Sequence, residues 1–329
     1  MGAILVTGGA GYIGSHVVRQ LGDQRERLFI LDNLSSGFRS AVLHGELIEG
    51  DTTDAPLVSE LLKSRQIESV LHFAAHIVVP ESVADPLKYY RNNTGGTRTL
   101  LQCCVEAGVK HFIFSSTAAV YGIPAGGIAS EDTPTQPINP YGWSKLMSEQ
   151  MLRDVAAVTP LRYVALRYFN VAGADPGGRI GQSTPEATHL LKVACQHVVG
   201  RRDQVSIFGT DYETPDGTGV RDYIHVEDLA SAHLRALDYL RAGGASTTLN
   251  CGYGQGFSVR EVLDEVARAS GKKLKITESP RRAGDPPRLV AQADRIREAL
   301  SWVPQHRDLG GIVRSALAWE QRLLRQPMS

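Results

Sequence analysis

The chain has 329 residues, which is enough for one large domain or two of ordinary size. Its 35 basic and 35 acidic side chains give zero formal net charge, so we expect neither nucleic acid nor a membrane surface as a partner. The composition is globular, and no apolar run approaches the ~18 residues of a membrane span. With no secretory signal pattern and four cysteines that form no C-x-x-C pair, we expect a cytoplasmic protein with reduced thiols.

The first half of the chain alternates strand-like apolar runs with segments of helical length. We predict six strands, at 3–7, 28–31, 47–51, 70–74, 112–115 and 162–167. Strands that alternate with helices indicate βαβ units and a parallel sheet covered on both faces. The predicted fold class is therefore α/β, with a doubly wound parallel sheet.

The pattern changes after about residue 170. A loop rich in Gly and Pro at 173–184 precedes short helices and strands, which we predict at 188–199, 205–208, 258–270, 274–277 and 309–324. We predict a nucleotide-binding domain at 1–170, with later segments at about 215–250 packing back onto it. A smaller α/β lobe at 171–329 completes the chain, and we expect the site in the cleft beyond the carboxyl ends of the strands.

A glycine-rich turn follows the first predicted strand and opens a helix. Gly8, Gly11 and Gly14 form G-x-x-G-x-x-G, in which glycines allow a tight turn, close approach to a diphosphate and packing of helix on strand. An ordinary strand-to-helix turn is the alternative. Asp32 ends the second strand 18 residues after Gly14, where its carboxylate can accept the ribose hydroxyls and repel a 2′-phosphate. We therefore predict a Rossmann-type site for NAD rather than NADP.

Two further strand ends are candidates for cofactor contact. Asp51 ends the third strand and either accepts from the adenine amino group or caps the next helix. Phe73, Ala74 and Ala75 end the fourth strand, where small residues either let a cofactor pass or serve packing alone.

Tyr141 and Lys145 form a Y-x-x-x-K motif just after Asn139-Pro140, a typical helix start. At positions i and i+4 they share one helix face, so we predict that the ammonium and a cationic nicotinamide lower the tyrosine pKa toward neutrality. Thr117, at the end of the fifth strand, would present a hydroxyl to the same cleft. The alternative is a surface aromatic–lysine pair. The combination predicts a tyrosine general base.

Sequence blocks along the whole chain resemble the UDP-glucose 4-epimerases (UDP-galactose 4-epimerases), extended short-chain dehydrogenases/reductases. The blocks are GGAGYIGSH, LDNLSSG, FAA…VPESV…PLKYYRNN, FIFSSTAAVYG, NPYGWSK, RYFNVAGA, FGTDYETPDGTGVRDYIHVEDLA and RRAGDPPRLVA. They cover residues 3 to about 291, and GTGVRDYIHV is the most specific of them.

The resemblance implies a role for each matching position. Tyr141 corresponds to the base, Lys145 to its partner and Thr117 to the hydroxyl that assists them. The residues implied to bind NAD are Gly8, Gly11, Tyr12, Ile13, Gly14, Asp32, Asn33, Asp51, Thr52, Phe73, Ala74, Ala75, Asn92, Tyr141, Lys145 and Phe169. The residues implied to bind the UDP-sugar are Thr117, Tyr141, Asn170, His189, Arg221, Arg282, Asp285 and Leu289.

Two positions need separate comment. The family often has a Lys four residues after Phe73, whereas this chain has Ile77, so that cofactor contact is missing or replaced. Leu289 stands where the family has a large aromatic or a smaller residue, which predicts partial room for an N-acetyl group. The alternative for Leu289 is core packing, and for Arg221 and Arg282 it is solvated surface.

The resemblance implies an NAD-dependent 4-epimerase that interconverts UDP-glucose and UDP-galactose through a 4-keto intermediate. Alternatives are a UDP-pentose or UDP-N-acetylhexosamine 4-epimerase, and a nucleotide-sugar 4,6-dehydratase, although Ala118-Ala119-Val120 supplies no acid after Thr117. A non-catalytic NAD-sensing protein is disfavoured because the chain keeps Tyr141 and Lys145. No His, Cys or carboxylate cluster has metal-ligand spacing, so we expect no metal. The resemblance also implies a homodimer through two helices of the first lobe.

Overall fold

The structure is a computed structural model that describes residues 2–184, 187–282 and 284–328. Its strands are β1 (Ala3–Thr7), β2 (Leu28–Asp32), β3 (Glu46–Glu49), β4 (Ile67–His72), β5 (His111–Thr117), β6 (Ile128–Ala129), β7 (Arg162–Tyr168), β8 (Asn170–Ala172), β9 (Val205–Phe208), β10 (Val220–His225), β11 (Thr247–Cys251), β12 (Gly256–Ser258), β13 (Ile276–Ser279) and β14 (Arg288–Ala291).

Eleven α-helices lie between and after these strands in the described part of the chain. They are α1 (Tyr12–Asp23), α2 (Ala55–Ser64), α3 (Val79–Ala84), α4 (Pro86–Tyr89), α5 (Gly96–Ala107), α6 (Pro140–Val158), α7 (Leu190–Val198), α8 (Val226–Arg241), α9 (Val259–Ser270), α10 (Asp294–Leu300) and α11 (Leu309–Arg325). None of the helices in these ranges is long and apolar enough to cross a membrane.

Seven parallel strands form the main sheet, in the order β11-β7-β5-β4-β1-β2-β3. Every residue of β1 is buried, because helices cover both faces of the sheet, and this is why β1 is a continuous apolar run. The predicted α/β class with a parallel sheet is confirmed, and each of the six predicted strands is present with boundaries shifted by at most three residues.

The seventh strand of the main sheet comes from the second half of the chain. Strand β11 pairs in parallel with β7, and α8 packs against α1. Both elements come from the predicted segment at about 215–250 or directly follow it. The domain boundary near residue 170 stays a prediction.

A second sheet has the order β12-β10-β14-β6, with β8 paired to β10 as well, and β9 pairs with β13 separately. In β10 and β14, Arg221 lies directly beside Leu289 in a parallel register. Residues of β9, β10 and β14 face the carboxyl ends of the main sheet across a cavity. The two sheets therefore form the two walls of the site.

Candidate active site

A cavity of about 1040 Å³ runs from the glycine turn at β1 to strand β9. Every predicted site residue except Lys145 lies in its wall. These residues are Gly8, Gly11, Tyr12, Ile13, Gly14, Asp32, Asn33, Asp51, Thr52, Phe73, Ala74, Ala75, Asn92, Thr117, Tyr141, Phe169, Asn170, His189, Arg221, Arg282, Asp285 and Leu289. The fold thus brings together residues that are up to 281 positions apart in the sequence.

The glycine turn has the shape of a diphosphate cradle. Gly8 has φ +71°, and a Cβ there would come within 2.5 Å of the backbone nitrogen of Ala74, so only glycine fits. Gly11 precedes α1 without placing any side chain over the first-turn N–H groups of the helix. Those N–H groups can therefore bind an anion in the cavity.

Asp32, at the end of β2, is hydrogen-bonded to this turn. Its carboxylate accepts from the backbone N–H groups of Ala10 and Leu34, each at 2.9 Å, while burial raises its pKa. A carboxylate has about four lone-pair positions, so two remain for a ligand in the cavity. Asp51 accepts from Asn33 Nδ2 at 2.8 Å, which places both residues together at this end of the cavity.

Tyr141 begins helix α6 and faces the centre of the cavity. As predicted, Pro140 opens the helix and the Asn139 side chain caps it, accepting from the N–H of Gly142 at 2.9 Å. The Tyr141 side chain is almost wholly buried, and this burial raises its pKa, whereas a hydrogen bond with the Thr117 hydroxyl acts in the opposite direction. The phenol and the hydroxyl are thus adjacent.

Lys145 lies behind the cavity wall rather than in it. Its Nζ donates to the carbonyl oxygen of Ser115 at 2.8 Å and is 5.0 Å from the centre of the Phe114 ring. Burial lowers the Lys145 pKa to about 7. The predicted lowering of the Tyr141 pKa by the Lys145 ammonium together with a cationic nicotinamide stays a prediction, since the raised pKa reflects desolvation of the phenol by the chain alone.

The opposite wall carries two arginines. Arg221 donates to Asp285 Oδ1 at 2.5 Å and to the backbone oxygen of Val220 at 2.8 Å. The guanidinium of Arg282 lies 3.6 Å above the centre of the Phe208 ring, and burial lowers its pKa. Arg221 is half-buried, whereas Arg282 is exposed apart from its contact with the Phe208 ring, and both line the cavity.

The remaining predicted substrate residues complete this wall. His189 precedes α7, and its Nδ1 lies 3.0 Å from Gln182 Nε2. Leu289 is 8% exposed, and its accessible part faces the cavity beside Arg221. Asn170 begins β8 and pairs with Tyr223 of β10.

Residues 4–252 match the NAD dependent epimerase/dehydratase family. The chain belongs to this family. A UDP-glucose 4-epimerase of Azospirillum brasilense is 59% identical over 321 residues, 97% of this chain and 92% of that protein. The crystal structure of UDP-glucose 4-epimerase from Brucella ovis in complex with NAD has 44% identity and a TM-score of 0.94, covering 97% of this chain and 98% of that one.

A third similar protein is the UDP-glucose-4-epimerase from Stenotrophomonas maltophila with bound NAD and formylated UDP-arabinopyranose. It has 38% identity and a TM-score of 0.95, and the match covers 99% of each chain. The resemblance to UDP-glucose 4-epimerases is thereby confirmed over the whole length of the chain.

Members of this family need room for a dinucleotide, and the described residues provide it. The glycine cradle, the uncapped start of α1 and the free lone pairs of Asp32 fit the diphosphate and ribose of NAD. The cavity continues from there to Tyr141, where a nicotinamide would meet a sugar.

Sequence reasoning missed part of the wall that this epimerase family member builds from β9. Ser206 and Phe208 line the cavity, whereas Ile207 between them is almost fully buried in the core. The alternation of V-S-I-F is the signal that would have found these two, since every second residue of a strand faces the same side, although Val205 at the start of β9 also reaches the cavity. His76, which was not among the predicted site residues, also lines the cavity.

Proposed function

We propose that this protein is a UDP-glucose 4-epimerase that interconverts UDP-glucose and UDP-galactose with a firmly held NAD. The observation that supports it most is the contact of the Tyr141 phenol with the Thr117 hydroxyl midway along the cavity, between a dinucleotide cradle and two arginines. The Azospirillum relative, with 59% identity, carries the same name.

Each residue has a defined part in the reaction. Tyr141 takes the proton of the C4 hydroxyl and returns it, and Thr117 hydrogen-bonds the C4 oxygen in both states. Bound NAD supplies the reversible oxidation, accepting the C4 hydrogen with its electron pair and giving it back. Because burial raises the pKa of Tyr141, the phenolate needs the positive charges of Lys145 and of the oxidised nicotinamide.

The two arginines explain how the sugar inverts without leaving. Arg221 and Arg282 hold the diphosphate by charge-assisted hydrogen bonds, so the 4-keto sugar stays tethered while its ring turns over. Return of the hydride to the other face of C4, with return of the proton from Tyr141 to the C4 oxygen, would then give the epimer. Binding energy from the nucleotide is thus used to retain the intermediate.

The test is a coupled assay of the purified protein with UDP-galactose, UDP-glucose, UDP-N-acetylhexosamines and UDP-pentoses, without added NAD. We expect conversion of the UDP-hexoses, and denaturation should release NAD(H). No turnover without added NAD, or release of NADP(H), would contradict the proposal. A 4,6-dehydratase is disfavoured because the segment after Thr117 gives only Ala118 and Ala119 to the cavity near it.

We also propose a homodimer formed through α5 and α6, in the cytoplasm. Trp143 and Met147 are each 42% exposed one turn apart on α6, and Val105 on α5 is 39% exposed. These are exposed apolar side chains on the two helices, and a second copy would cover them. Light scattering should give about twice the 35.7 kDa of one chain.

A variant pair tests this surface. Trp143→Arg with Met147→Lys should yield a monomer, whereas Leu324→Lys, at an exposed apolar residue of α11, should not. A dimer that survives the α6 changes would place the interface elsewhere.

A further inference from the structure

A buried carboxylate lies on the same helix face as the Tyr141 and Lys145 pair. Glu149 follows Lys145 by four residues and is 1% exposed. Residues spaced by four lie above one another on a helix, so α6 presents phenol, ammonium and carboxylate in one row. The proposed reaction uses the first two and leaves Glu149 without a role.

Glu149 joins α6 to two strands of the main sheet. Its Oε1 accepts from Ser116 Oγ on β5 at 2.5 Å and from Arg167 Nε on β7 at 2.9 Å. Its Oε2 accepts from Arg167 Nη2 at 2.6 Å. The pair is bidentate, which fixes orientation as well as distance.

The strand residue that Glu149 holds lies between two groups of the site. Ser115 gives its carbonyl oxygen to Lys145 Nζ at 2.8 Å, and Thr117 hydrogen-bonds Tyr141. Ser116 is the residue between them. A movement of Ser116 would therefore disturb the partners of both Lys145 and Tyr141.

Arg167 also makes hydrogen bonds on the side away from Glu149. Arg167 Nη1 donates to the Tyr121 hydroxyl at 3.0 Å, and that hydroxyl donates to Asn250 Oδ1 on β11 at 2.6 Å. A buried ion pair of this kind adds little net stability compared with apolar packing of the same volume. Its complete hydrogen bonding instead favours one arrangement of helix and strands.

We propose that Glu149 is a positioning residue of the epimerase reaction: through Ser116 and Arg167 it holds α6 on the sheet, and its charge keeps Lys145 an ammonium. The inference rests on the proposed function, because it assigns Glu149 a part in that reaction.

The charged and titratable groups around Lys145 support the proposal that the charge of Glu149 keeps Lys145 an ammonium. On α6 they are Glu149 and Tyr141, on β4 His72 and on β7 Arg167. Burial lowers the pKa of Lys145 to about 7, and Glu149 is the charge that opposes this effect. His72 is neutral, because burial lowers its pKa to about 3.

Three variants separate the roles. Glu149→Gln keeps the shape and removes the charge, Glu149→Gln with Arg167→Met removes both charges, and Ser116→Ala removes one hydrogen bond. Each is purified as holoenzyme and checked for folding by thermal melting. We measure the pH profiles of kcat and KM for UDP-galactose, and the NAD(H) released on denaturation.

Both Gln variants should lose kcat by about tenfold or more. Glu149→Gln should also lose activity on the alkaline side at a pH about one unit lower, because a neutral Lys145 is reached earlier, whereas the double variant should show a smaller shift in the same direction, because the like charge of Arg167 is removed as well. The KM for UDP-galactose should change little, since β10 and β14 are untouched. Ser116→Ala should lower kcat severalfold with an unchanged pH profile. NAD(H) content should fall in both Gln variants.

A folded double variant with the wild-type pH profile and kcat would overturn the proposal. If both Gln variants fail to fold, Ser116→Ala decides it: unchanged kcat would exclude positioning through the strand. Absence of epimerase activity in the wild type would count against the proposed function instead, and the NAD(H) content would still report on Glu149.

Discussion

At the scale of single residues, burial is the main cause of the pKa shifts of Tyr141 and Lys145. The phenol of Tyr141 has its pKa raised and the ammonium of Lys145 has its pKa lowered to about 7, so burial disfavours the charged form of each group. Positive charge that enters the cavity would favour the phenolate of Tyr141, the form that the proposed reaction needs. This would couple proton transfer to the presence of the oxidised cofactor.

The first prediction concerns the base. Tyr141→Phe removes only the proton-carrying hydroxyl, so epimerase activity should fall by roughly 10²- to 10⁴-fold, the usual contribution of general acid–base catalysis. The NAD(H) content should stay at the wild-type level, because the glycine turn and Asp32 are unaltered. A decrease of activity smaller than about tenfold would exclude Tyr141 as the base.

The second prediction concerns the breadth of the sugar pocket. Leu289 faces the cavity beside Arg221, and a ring at this position would fill space that an N-acetyl group needs. Extra atoms in a close-packed site cost about 1–3 kcal/mol, or roughly 5- to 150-fold. Leu289→Tyr should therefore lower kcat/KM for UDP-N-acetylgalactosamine relative to UDP-galactose.

The control for this pocket is Leu289→Met, which conserves volume and should leave the ratio of the two kcat/KM values near the wild type. An unchanged ratio in Leu289→Tyr would mean that the pocket is limited elsewhere.

At the scale of elements, the cofactor turn and the segment at 173–184 are directly connected. The Tyr12 hydroxyl on α1 donates to the carbonyl oxygen of Gly173 at 2.6 Å. This segment continues to Gln182, whose backbone oxygen accepts from Lys192 Nζ at 2.5 Å and from Trp319 Nε1 at 3.2 Å. One wall of the substrate cavity is thus held by α1, α7 and α11.

The third prediction tests the Tyr12 contact. Tyr12→Phe leaves the Gly173 carbonyl without this donor, at a cost of about 1 kcal/mol, so the affinity for UDP should fall by about fivefold. NAD(H) content should be unchanged, because the turn keeps its backbone. Calorimetric titration with UDP measures the effect.

Tyr239→Phe serves as the matched control, since Tyr239 does not line the cavity. Equal UDP affinity in both variants and the wild type would show that the hydrogen bond from Tyr12 to Gly173 does not contribute to UDP binding.

At the scale of the whole molecule, buried neutral histidines lower the free energy of unfolding in acid. Burial lowers the pKa of His72 and of His225 to about 3, and that of His233 to about 4. In the unfolded chain each would titrate near 6.5. The unfolded state therefore binds more protons below that pH, and stability falls as the pH falls.

The fourth prediction follows from this linkage. Between pH 7 and pH 5 each ring should cost about 2 kcal/mol of unfolding free energy, and the three together roughly 6 kcal/mol. Urea unfolding at pH 7, 6 and 5 measures the loss. The His233→Asn variant should show about one third less pH dependence, and equal stability at pH 5 and 7 would contradict the linkage.

The sequence alone was sufficient to predict the elements whose structure depends on a few neighbouring residues. The glycine turn, the capped start of α6 and the buried strands of the main sheet follow from turn chemistry and continuous apolar runs. The family match confirms the resemblance that these motifs carry. The residue roles within the site stay predictions.

Only the tertiary structure decided the features that depend on distant partners. Strand β11 joins the main sheet beside β7, although its sequence, TTLNC, has no strong strand pattern. The direction of the Tyr141 pKa follows from burial by remote segments, and Glu149 meets Ser116 and Arg167 only after α6 has docked. Hydrophobic period and turn residues act over a few positions, whereas desolvation and ion pairing depend on groups that the fold alone brings together.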